Sequence, residues 1–331
     1  MRGMLLLATL ALAAVAGITA VGAARVTNPR VGFVAYSGDT ATPRTLDGLA
    51  LAGFARAQRR LAIRGRVQYL SPTQGAGSVM RSFSRQGYDL VVAPLFDTSP
   101  VDGLSRTYPR VHYVALDAQP GVPPKRRAKN IHRVVFRAEQ AAYLAGYLSA
   151  LMADRAGAKP MVSAVGGFSF YGVNRWIVGF RAGARRADPR IRVRVDYADD
   201  FANPTKCRRL ALAQIAAGSR VVFNVAGTCG LGTLTAARQR HVWGVGVDVD
   251  QSFLGPHILT SAISRYDRGV FDAIHRFARG KLGATAVYDL HNGGVELGRI
   301  STRVPAGLER RLARLRRQIV NGAIVVPRPR G

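Results

Sequence analysis

Two kinds of hydrophobic pattern alternate along the chain. Short runs rich in Val, Ile and aromatic residues predict buried strands, and longer stretches with apolar residues at helical spacing predict helices. The predicted strands are Val31–Tyr36, Arg66–Leu70, Leu90–Ala93, Val111–Leu116, Ile131–Phe136, Pro160–Val165, Ile191–Tyr197, Arg220–Ala226, Val242–Val247 and Ile258–Ser261. The predicted helices are Thr45–Arg60, Ser78–Gln86, Ala138–Met152, Tyr171–Arg186, Lys206–Ala217, Gly232–Arg240 and Asp267–Arg279.

This alternation predicts an α/β protein with parallel sheets that carry helices on both faces. About ten strands exceed one ordinary sheet, and a length of 331 residues suits two domains. We therefore expect two lobes. The pattern also predicts a basic helix at Leu308–Gln318, a last strand at Ile324–Val326 and an exposed, Pro-rich excursion at Gln119–Asn130.

The N-terminal segment has a composition of its own. Residues 4–24 carry no charge and follow Arg2, which is typical of a secretory signal or a single membrane anchor. About 20 apolar residues also suffice to span a bilayer, so length does not decide between the two. No cysteine follows the segment, so we do not expect a lipid on an N-terminal cysteine. We expect an extracytoplasmic protein, secreted or anchored to the cell membrane by residues 1–26.

The charge of the chain raises the question of a nucleic-acid partner. The formal net charge is +29, from 48 Lys and Arg against 19 Asp and Glu, and only five of the basic residues are lysines. Pairs such as Arg185-Arg186 and Arg310-Arg311 lie among apolar residues at helical spacing, as on solvated helix faces. No basic stripe alternates with stacking aromatic residues, and no nucleic-acid-binding motif occurs. We therefore expect no specific nucleic-acid partner.

Candidate binding residues follow several of the predicted strands. Ligands of open α/β sheets bind at the carboxyl ends of the strands. Acceptor, aromatic and glycine residues at these ends suit a sugar- or nucleoside-sized polar ligand. The candidates at the strand ends are Ser37, Phe96, Phe201, Gly227 and Asp248. Two alternatives remain open at this stage: Asp248 could cap the turn that follows it, and Phe201 could belong to the core of its loop.

The sequence offers little that suggests catalysis. Its six histidines lack metal-ligand spacing, and it has no Gly-x-Ser-x-Gly elbow, HExxH motif or P-loop. We therefore expect neither an enzyme, nor a metal site, nor a cofactor. Two other functions stay open, an exported ligand sensor and a cleft hydrolase that uses Asp248 or Asp250 on nucleoside-like substrates.

Two cysteines are predicted to pair in the oxidising exterior. Cys207 opens the helix after strand Ile191–Tyr197, and Cys229 lies in the loop after strand Arg220–Ala226. Neighbouring parallel strands lie about 4.8 Å apart and end at the same edge. The two Cα atoms can therefore come within the roughly 4.4–6.8 Å that a disulfide needs.

Several motifs, in their order along the chain, resemble those of a known family. They are Tyr143-Leu144-Ala145-Gly146, Gly179-Phe180-Arg181-Ala182-Gly183, Ala226-Gly227-Thr228, Gly246-Val247-Asp248-Val249-Asp250-Gln251, Leu259-Thr260-Ser261 and the ending at residues 320–327. With these motifs the chain resembles the basic membrane protein family of ABC-transporter substrate-binding proteins, which includes purine nucleoside-binding lipoproteins. The resemblance covers about residues 30–327.

The resemblance implies a type I periplasmic-binding-protein fold, with two Rossmann-like lobes joined by a three-crossing hinge. We place the N-terminal lobe at residues 30–133 plus 262–290 and the C-terminal lobe at residues 134–261 plus 291–327. The crossings are expected near Arg133–Arg137, Ser261–Arg265 and Leu290–Gly294. The family's function implies a small-molecule solute, which the protein delivers to an ABC permease in the membrane. We expect a monomer.

The resemblance also implies roles for individual residues. Asp248 matches the acid that holds ribose hydroxyls, Phe201 matches an aromatic residue that stacks on the base, and Gly227 belongs to the ligand loop. The chain departs from the family at three places. Ser37 stands where an Asp is usual, and Leu46-Asp47 replaces a Phe-Asn pair. Ser264, followed by Arg265, replaces a Lys. Asp47 and Arg265 are thus further candidate ligand contacts, and the nucleoside is one possible ligand rather than the established one.

Overall fold

The computed structural model describes residues 27–36, 44–71, 74–94, 99–118, 128–154 and 160–329. The predicted signal or anchor lies outside these residues, as does most of the predicted Pro-rich excursion. Within the described ranges, no helix is both long enough and apolar enough to cross a membrane. The elements are β1 (Arg30–Ala35), α1 (Leu46–Arg60), β2 (Arg64–Tyr69), α2 (Ala76–Arg85), β3 (Leu90–Pro94), α3 (Ser99–Thr107), β4 (His112–Leu116), β5 (Ile131–Phe136), α4 (Ala138–Asp154), β6 (Met161–Gly166), α5 (Tyr171–Ala187), β7 (Arg192–Tyr197), α6 (Pro204–Ala216), β8 (Val221–Val225), α7 (Gly230–Gln239), β9 (Trp243–Asp248), β10 (Ile258–Ser264), α8 (Tyr266–Ala278), β11 (Thr285–Tyr288), β12 (Val295–Leu297) and α9 (Ala306–Val320).

The elements form two α/β lobes, which confirms the predicted fold class. The first sheet has the strand order β11-β5-β4-β3-β1-β2 and is parallel throughout. The second has the order β12-β10-β9-β8-β6-β7, and only the short β12 runs antiparallel. In the first lobe α1 packs against α8, and in the second α4 packs against α5 and α6 against α7. Central strands such as β6 and β8 are buried along their whole length, as parallel strands between two helix layers should be.

The chain passes between the sheets three times. It crosses at Arg137 between β5 and α4, at Arg265 between β10 and α8, and in the segment 289–294 between β11 and β12. Arg137 and Arg265 lie inside two of the crossing segments expected from the sequence, and residues 289–294 overlap the third. The lobe boundaries fall about three residues later than 133 and 261, because β5 stays in the first sheet to Phe136 and β10 stays in the second to Ser264.

A few short elements differ from the sequence prediction. The predicted strand at Ile324–Val326 is wrong, because this segment pairs with no strand of either sheet among the described residues. Val326 packs into the core, but Val325 is 85% exposed, and Pro327 removes a backbone donor. Helix α3 and strands β11 and β12 were not predicted, since they are too short for a clear periodic pattern.

The glycine motifs of the family serve helix packing in the second lobe. Gly146 on α4 faces the backbone of Phe180 on α5, and Gly183 on α5 faces the backbone of Tyr143 on α4. A Cβ atom at either glycine would overlap a main-chain carbonyl oxygen of the other helix. The two helices therefore approach so closely that the motifs report a packing constraint, not a ligand contact.

We predict that Gly183→Ala destabilises the protein by about 3 kcal/mol, because a main-chain oxygen cannot move aside as a side chain can. Denaturant unfolding followed by far-ultraviolet circular dichroism measures the change. Gly307→Ala in α9 is the matched control, since the nearest atom to its added Cβ is 3.9 Å away. The control should be neutral or stabilising by a few tenths of a kcal/mol. Equal stabilities of Gly183→Ala and the wild type would contradict the packing argument.

Candidate ligand-binding site

The carboxyl ends of the strands of both sheets face a cavity between the lobes. Its volume is about 420 Å³, which suits a small molecule. The first lobe contributes the loop before α1, the start of α1, the end of β4 and the start of α8. The second contributes the start of α5 and the loops after β7, β8 and β9. The lining residues that carry polar or aromatic groups are Tyr36, Arg44, Thr45, Asp47, Asp117, Phe170, Arg175, Trp176, Phe201, Asn224, Thr228, Asp248, Gln251 and Tyr266.

A second, larger groove of about 760 Å³ opens at the other end of the second lobe. It lies beside the C-terminal end of α7 and the starts of β9 and β10, and Arg238, Trp243 and His257 are among its lining residues. Of these two openings in the described parts of the chain, the interlobe cavity is the one that lies at the strands' carboxyl ends and takes residues from both lobes, so we assign the ligand site to it.

A buried ion pair joins the two lobes at the interlobe cavity. Arg175 on α5 donates through Nη1 and Nη2 to the two carboxylate oxygens of Asp117, at 2.8 and 2.5 Å. Arg175 Nη1 also donates to the carbonyl oxygen of Phe136 at 3.2 Å, and the Tyr266 hydroxyl donates to Asp117 at 2.7 Å. Both charged residues are at most 5% exposed. Burial would lower the pKa of Arg175, but the charge of Asp117 raises it above its usual range, so Arg175 stays protonated.

Asp248 lies beside this pair without joining it. It ends β9 with a φ of +64° and lines the cavity. Burial raises its pKa to about 7, the charge of Asp117 adds to the rise, and Arg175 partly offsets it. Among the described residues, no side chain forms an ion pair with it. Asp248 therefore presents a carboxyl group that titrates near neutral pH to whatever enters the cavity.

The second acid, Asp47, comes from the first lobe. It lies in the first turn of α1, after the N-cap residue Thr45, whose hydroxyl oxygen accepts from the backbone N–H of Gly48 at 3.1 Å. Burial raises the pKa of Asp47, and a hydrogen bond from the backbone N–H of Tyr36 partly offsets the rise. The structure thus places Asp47 and Asp248 in one cavity, on opposite lobes.

Phe201 supplies an aromatic face to the cavity. Its ring is 40% exposed and lies 5.1 Å from the ring of Phe168, measured between centroids. Its carbonyl oxygen accepts from the backbone N–H of Cys229 at 2.9 Å. Gly227, with a φ of +54°, passes so close that an added Cβ would lie 3.4 Å from the Phe201 carbonyl oxygen. The loop conformation therefore favours glycine at position 227 and leaves the Phe201 ring open to a ligand.

A disulfide and an amide pair brace the wall of the second lobe. Cys207 at the start of α6 is bonded to Cys229 before α7, with 5.6 Å between their Cα atoms. Asn224 donates to Gln251 Oε1 at 3.2 Å, and the backbone N–H of Val247 donates to the same oxygen at 3.1 Å. The disulfide ties the segment after β7 to the loop after β8, and the amide contacts tie β8 to the loop after β9.

The structure sorts the residues that the sequence singled out. Asp47, Phe201, Gly227 and Asp248 line the cavity. Arg265 does not. Its guanidinium lies at the second crossing, 2.8 Å from an oxygen of Asp267 and 3.1 Å from one of Glu296. Ser37 and Phe96 lie outside the described residues.

Among the site residues that sequence reasoning missed are the three that join the lobes at the cavity, Asp117, Arg175 and Tyr266. Asp117 directly follows the apolar run of β4, just as Asp248 follows the apolar run of β9. The strand-end rule could therefore have identified Asp117 as well. Arg175 lies among the apolar residues Val173, Trp176 and Ile177 of α5, and a charge in that setting indicates a buried partner. Among the residues that the structure describes, no three His, Cys, Asp or Glu side chains group as metal ligands.

Comparison with known proteins matches this chain to a family. The sequence pattern of the Bmp family, the PnrA-like ABC transporter substrate-binding proteins, matches residues 52–329. The chain belongs to this family. It is therefore a substrate-binding protein of the ABC-transporter type, which confirms the function and the family predicted from the sequence. Proteins of the Bmp family are extracytoplasmic, as expected for this chain.

Individual relatives agree with this assignment. The ABC transporter nucleoside-binding protein BmpA of Lactococcus lactis subsp. cremoris is 27% identical over 267 residues, which are 74% of this chain and 73% of that protein. A solved solute-binding protein of an ABC transporter system from Aeropyrum pernix K1 has a TM-score of 0.78 at 22% identity, over 92% of this chain and 94% of its own. A transcriptional activator of the comK gene from Bacillus halodurans has a TM-score of 0.74 at 20% identity, over 91% and 100%. Because both solved structures are less than 25% identical to this Bmp protein, they support its fold and not its function.

We predict that Asp248→Asn stabilises the ligand-free protein at high pH. Because the folded pKa of about 7 exceeds the ordinary value near 4, the folded state holds this proton longer than the unfolded state. The wild type therefore loses stability as the pH rises from about 4 to about 7, and the variant does not. At about pH 8 the variant should be more stable by about 1–3 kcal/mol, and at about pH 4 the two should be equal.

Denaturant unfolding at both pH values measures this difference. Glu309→Gln, which removes an exposed acid on α9, is the matched control and should leave the pH dependence unchanged. If Asp248→Asn lowers stability at both pH values, the carboxyl group stabilises the fold, and its assignment as an uncompensated group in the cavity is wrong.

Proposed function

We propose that this Bmp protein captures a small polar solute with neighbouring hydroxyl groups, such as a nucleoside, and delivers it to an ABC permease. The observation that carries the proposal is the carboxylate of Asp248, which lines the interlobe cavity together with the exposed ring of Phe201. A carboxylate accepts hydrogen bonds from two hydroxyls at once, and an aromatic face packs against a flat ring. The name of the Lactococcus lactis relative, a nucleoside-binding protein, supports the same ligand class.

The proposal includes the cellular setting. Residues 1–26 direct export and are then removed or kept as a membrane anchor, and the protein acts as a monomer in front of its permease. Its role is binding rather than catalysis, in keeping with the substrate-binding family to which it belongs.

The experiment first identifies the bound solute and then measures its affinity. The protein, exported through its own N-terminal segment, is denatured, and mass spectrometry identifies the solute released. In calorimetry with that solute, Asp248→Ala should bind about ten- to a hundredfold more weakly, because the loss of a charged hydrogen-bond partner costs about 1.5–3 kcal/mol. Glu309→Ala serves as the control outside the cleft. An unchanged affinity of Asp248→Ala would show that Asp248 does not bind the solute.

We also predict that the lobes close on the ligand. Both lobes contribute lining residues to the cavity, the second lobe more than the first, and three short crossings at Arg137, Arg265 and residues 289–294 connect the two lobes. Chain segments at the ends of elements can absorb the backbone rotation of a hinge. Small-angle X-ray scattering should therefore show a smaller radius of gyration with the solute than without it. The same radius in both states would contradict closure.

A further inference from the structure

The cavity is acidic although the chain as a whole carries a formal net charge of +29. Its charged lining residues are Asp47, Asp117 and Asp248 against Arg44 and Arg175. In a chain so rich in arginine, a cavity of average composition would contain more arginine than acidic residues. The excess of acidic over basic residues in this cavity is therefore specific to the site. The question is which of these charges remain available to a ligand.

Both arginines are already engaged. Arg175 binds both oxygens of Asp117 and the carbonyl oxygen of Phe136. The guanidinium of Arg44 lies over the ring of Phe253 on the other lobe, 4.7 Å from its centroid. Asp117 is in turn neutralised by Arg175. Asp47 and Asp248 are left, and within the described parts of the chain neither forms an ion pair with an Arg, Lys or His side chain.

These two carboxylates are costly in the empty cleft. A partly buried carboxylate without a cationic partner loses hydration, and a single hydrogen bond such as the one from the Tyr36 N–H to Asp47 replaces it only in part. The raised pKa values of both groups express that cost. Hydroxyl groups of a ligand can donate hydrogen bonds to them but leave the charge uncompensated. A cation offsets this negative charge directly, and the aromatic rings of Phe170, Trp176 and Phe201 in the same cavity wall also favour a cation over an anion.

We propose that the cleft selects solutes that carry a protonated amine beside their hydroxyl groups, and that Asp47 and Asp248 bind the ammonium group from opposite lobes. This proposal rests on the proposed capture of a small polar solute in the same cleft, and it narrows the class of that solute. It also gives closure a cause, because two negative lobe faces approach each other at lower cost when a cation lies between them.

Matched pairs of neutral and cationic solutes test the proposal. The pairs are adenosine with its 3′-amino-3′-deoxy and 5′-amino-5′-deoxy derivatives, and sorbitol with glucamine, titrated by calorimetry at about pH 7, where aliphatic amines are largely protonated. An amine should bind at least about tenfold more tightly than its neutral partner, as expected for an added charged hydrogen bond. Equal or tighter binding of the neutral partners overturns the proposal and leaves solute capture intact.

A panel in which nothing binds also overturns the amine proposal. In that case solute capture itself is still decided by the solute released from the exported protein, so the two failures are distinguishable. If the released solute carries no basic group, the charge selectivity is wrong although the binding function is right.

Two isosteric variants show whether the acids are responsible. Asp47→Asn and Asp248→Asn keep the shape of the cleft and should each weaken binding of the amine by about tenfold or more, and of its neutral partner by less than about threefold. Glu309→Gln removes one acid outside the cleft and should change neither affinity. Equal losses for the amine and the neutral partner would mean that the acids only accept hydrogen bonds. Thermal unfolding of each variant confirms that it is folded.

Proton release gives an independent readout. Asp248 faces Asp117 from the end of β4, Arg175 from α5 and Tyr266 from α8, and its pKa near 7 leaves it partly protonated in the free protein. An ammonium group that binds there displaces this proton. Calorimetry of the amine in two buffers of different ionisation enthalpy should therefore show proton release that Asp248→Asn loses. Proton uptake, or a release that the variant retains, contradicts contact with Asp248.

Discussion

The buried pair of Asp117 and Arg175 is the interaction on which the geometry of the cleft depends. One partner ends a strand of the first sheet and the other lies on the first helix after β6, so their two hydrogen bonds fix the distance between the lobes at the base of the cavity. To separate them would leave two charges buried without partners, which costs several kcal/mol. Since Arg175 also holds the carbonyl of Phe136 next to the first crossing, we infer that the pair would be the pivot of the predicted lobe closure.

The family motifs divide into packing and binding roles once the structure is known. The motif at residues 179–183 brings two helices of one lobe into backbone contact, whereas the motif at residues 246–251 places Asp248 and Gln251 in the lining of the cavity. Both are equally visible in the sequence. Only the contacts show that the first determines the shape of the lobe and the second its chemistry.

The sequence predicted the fold well because strand and helix periods are local properties. The predicted segments in β1–β10, α1, α2 and α4–α9 correspond to observed elements, and the strand-end rule selected Phe201, Gly227 and Asp248, which line the cleft. It missed Asp117, Arg175 and the engagement of Arg265 with Asp267 and Glu296. These contacts join residues that are tens of positions apart or lie at a crossing between lobes. Local patterns carry no information on such pairings.

The walls of the cleft are rigid, and the two carboxylates that face its interior lack a cationic partner. The first property maintains the energetic cost of the second. The disulfide, the contact of Asn224 with Gln251 and the lobe-joining ion pair order the walls before any ligand arrives, which lowers the entropy lost on binding. A flexible wall would let Asp47 and Asp248 turn towards water and recover their hydration. Because the walls are fixed, the cost of the two carboxylates persists in the empty protein, and a ligand that neutralises them gains that energy as affinity.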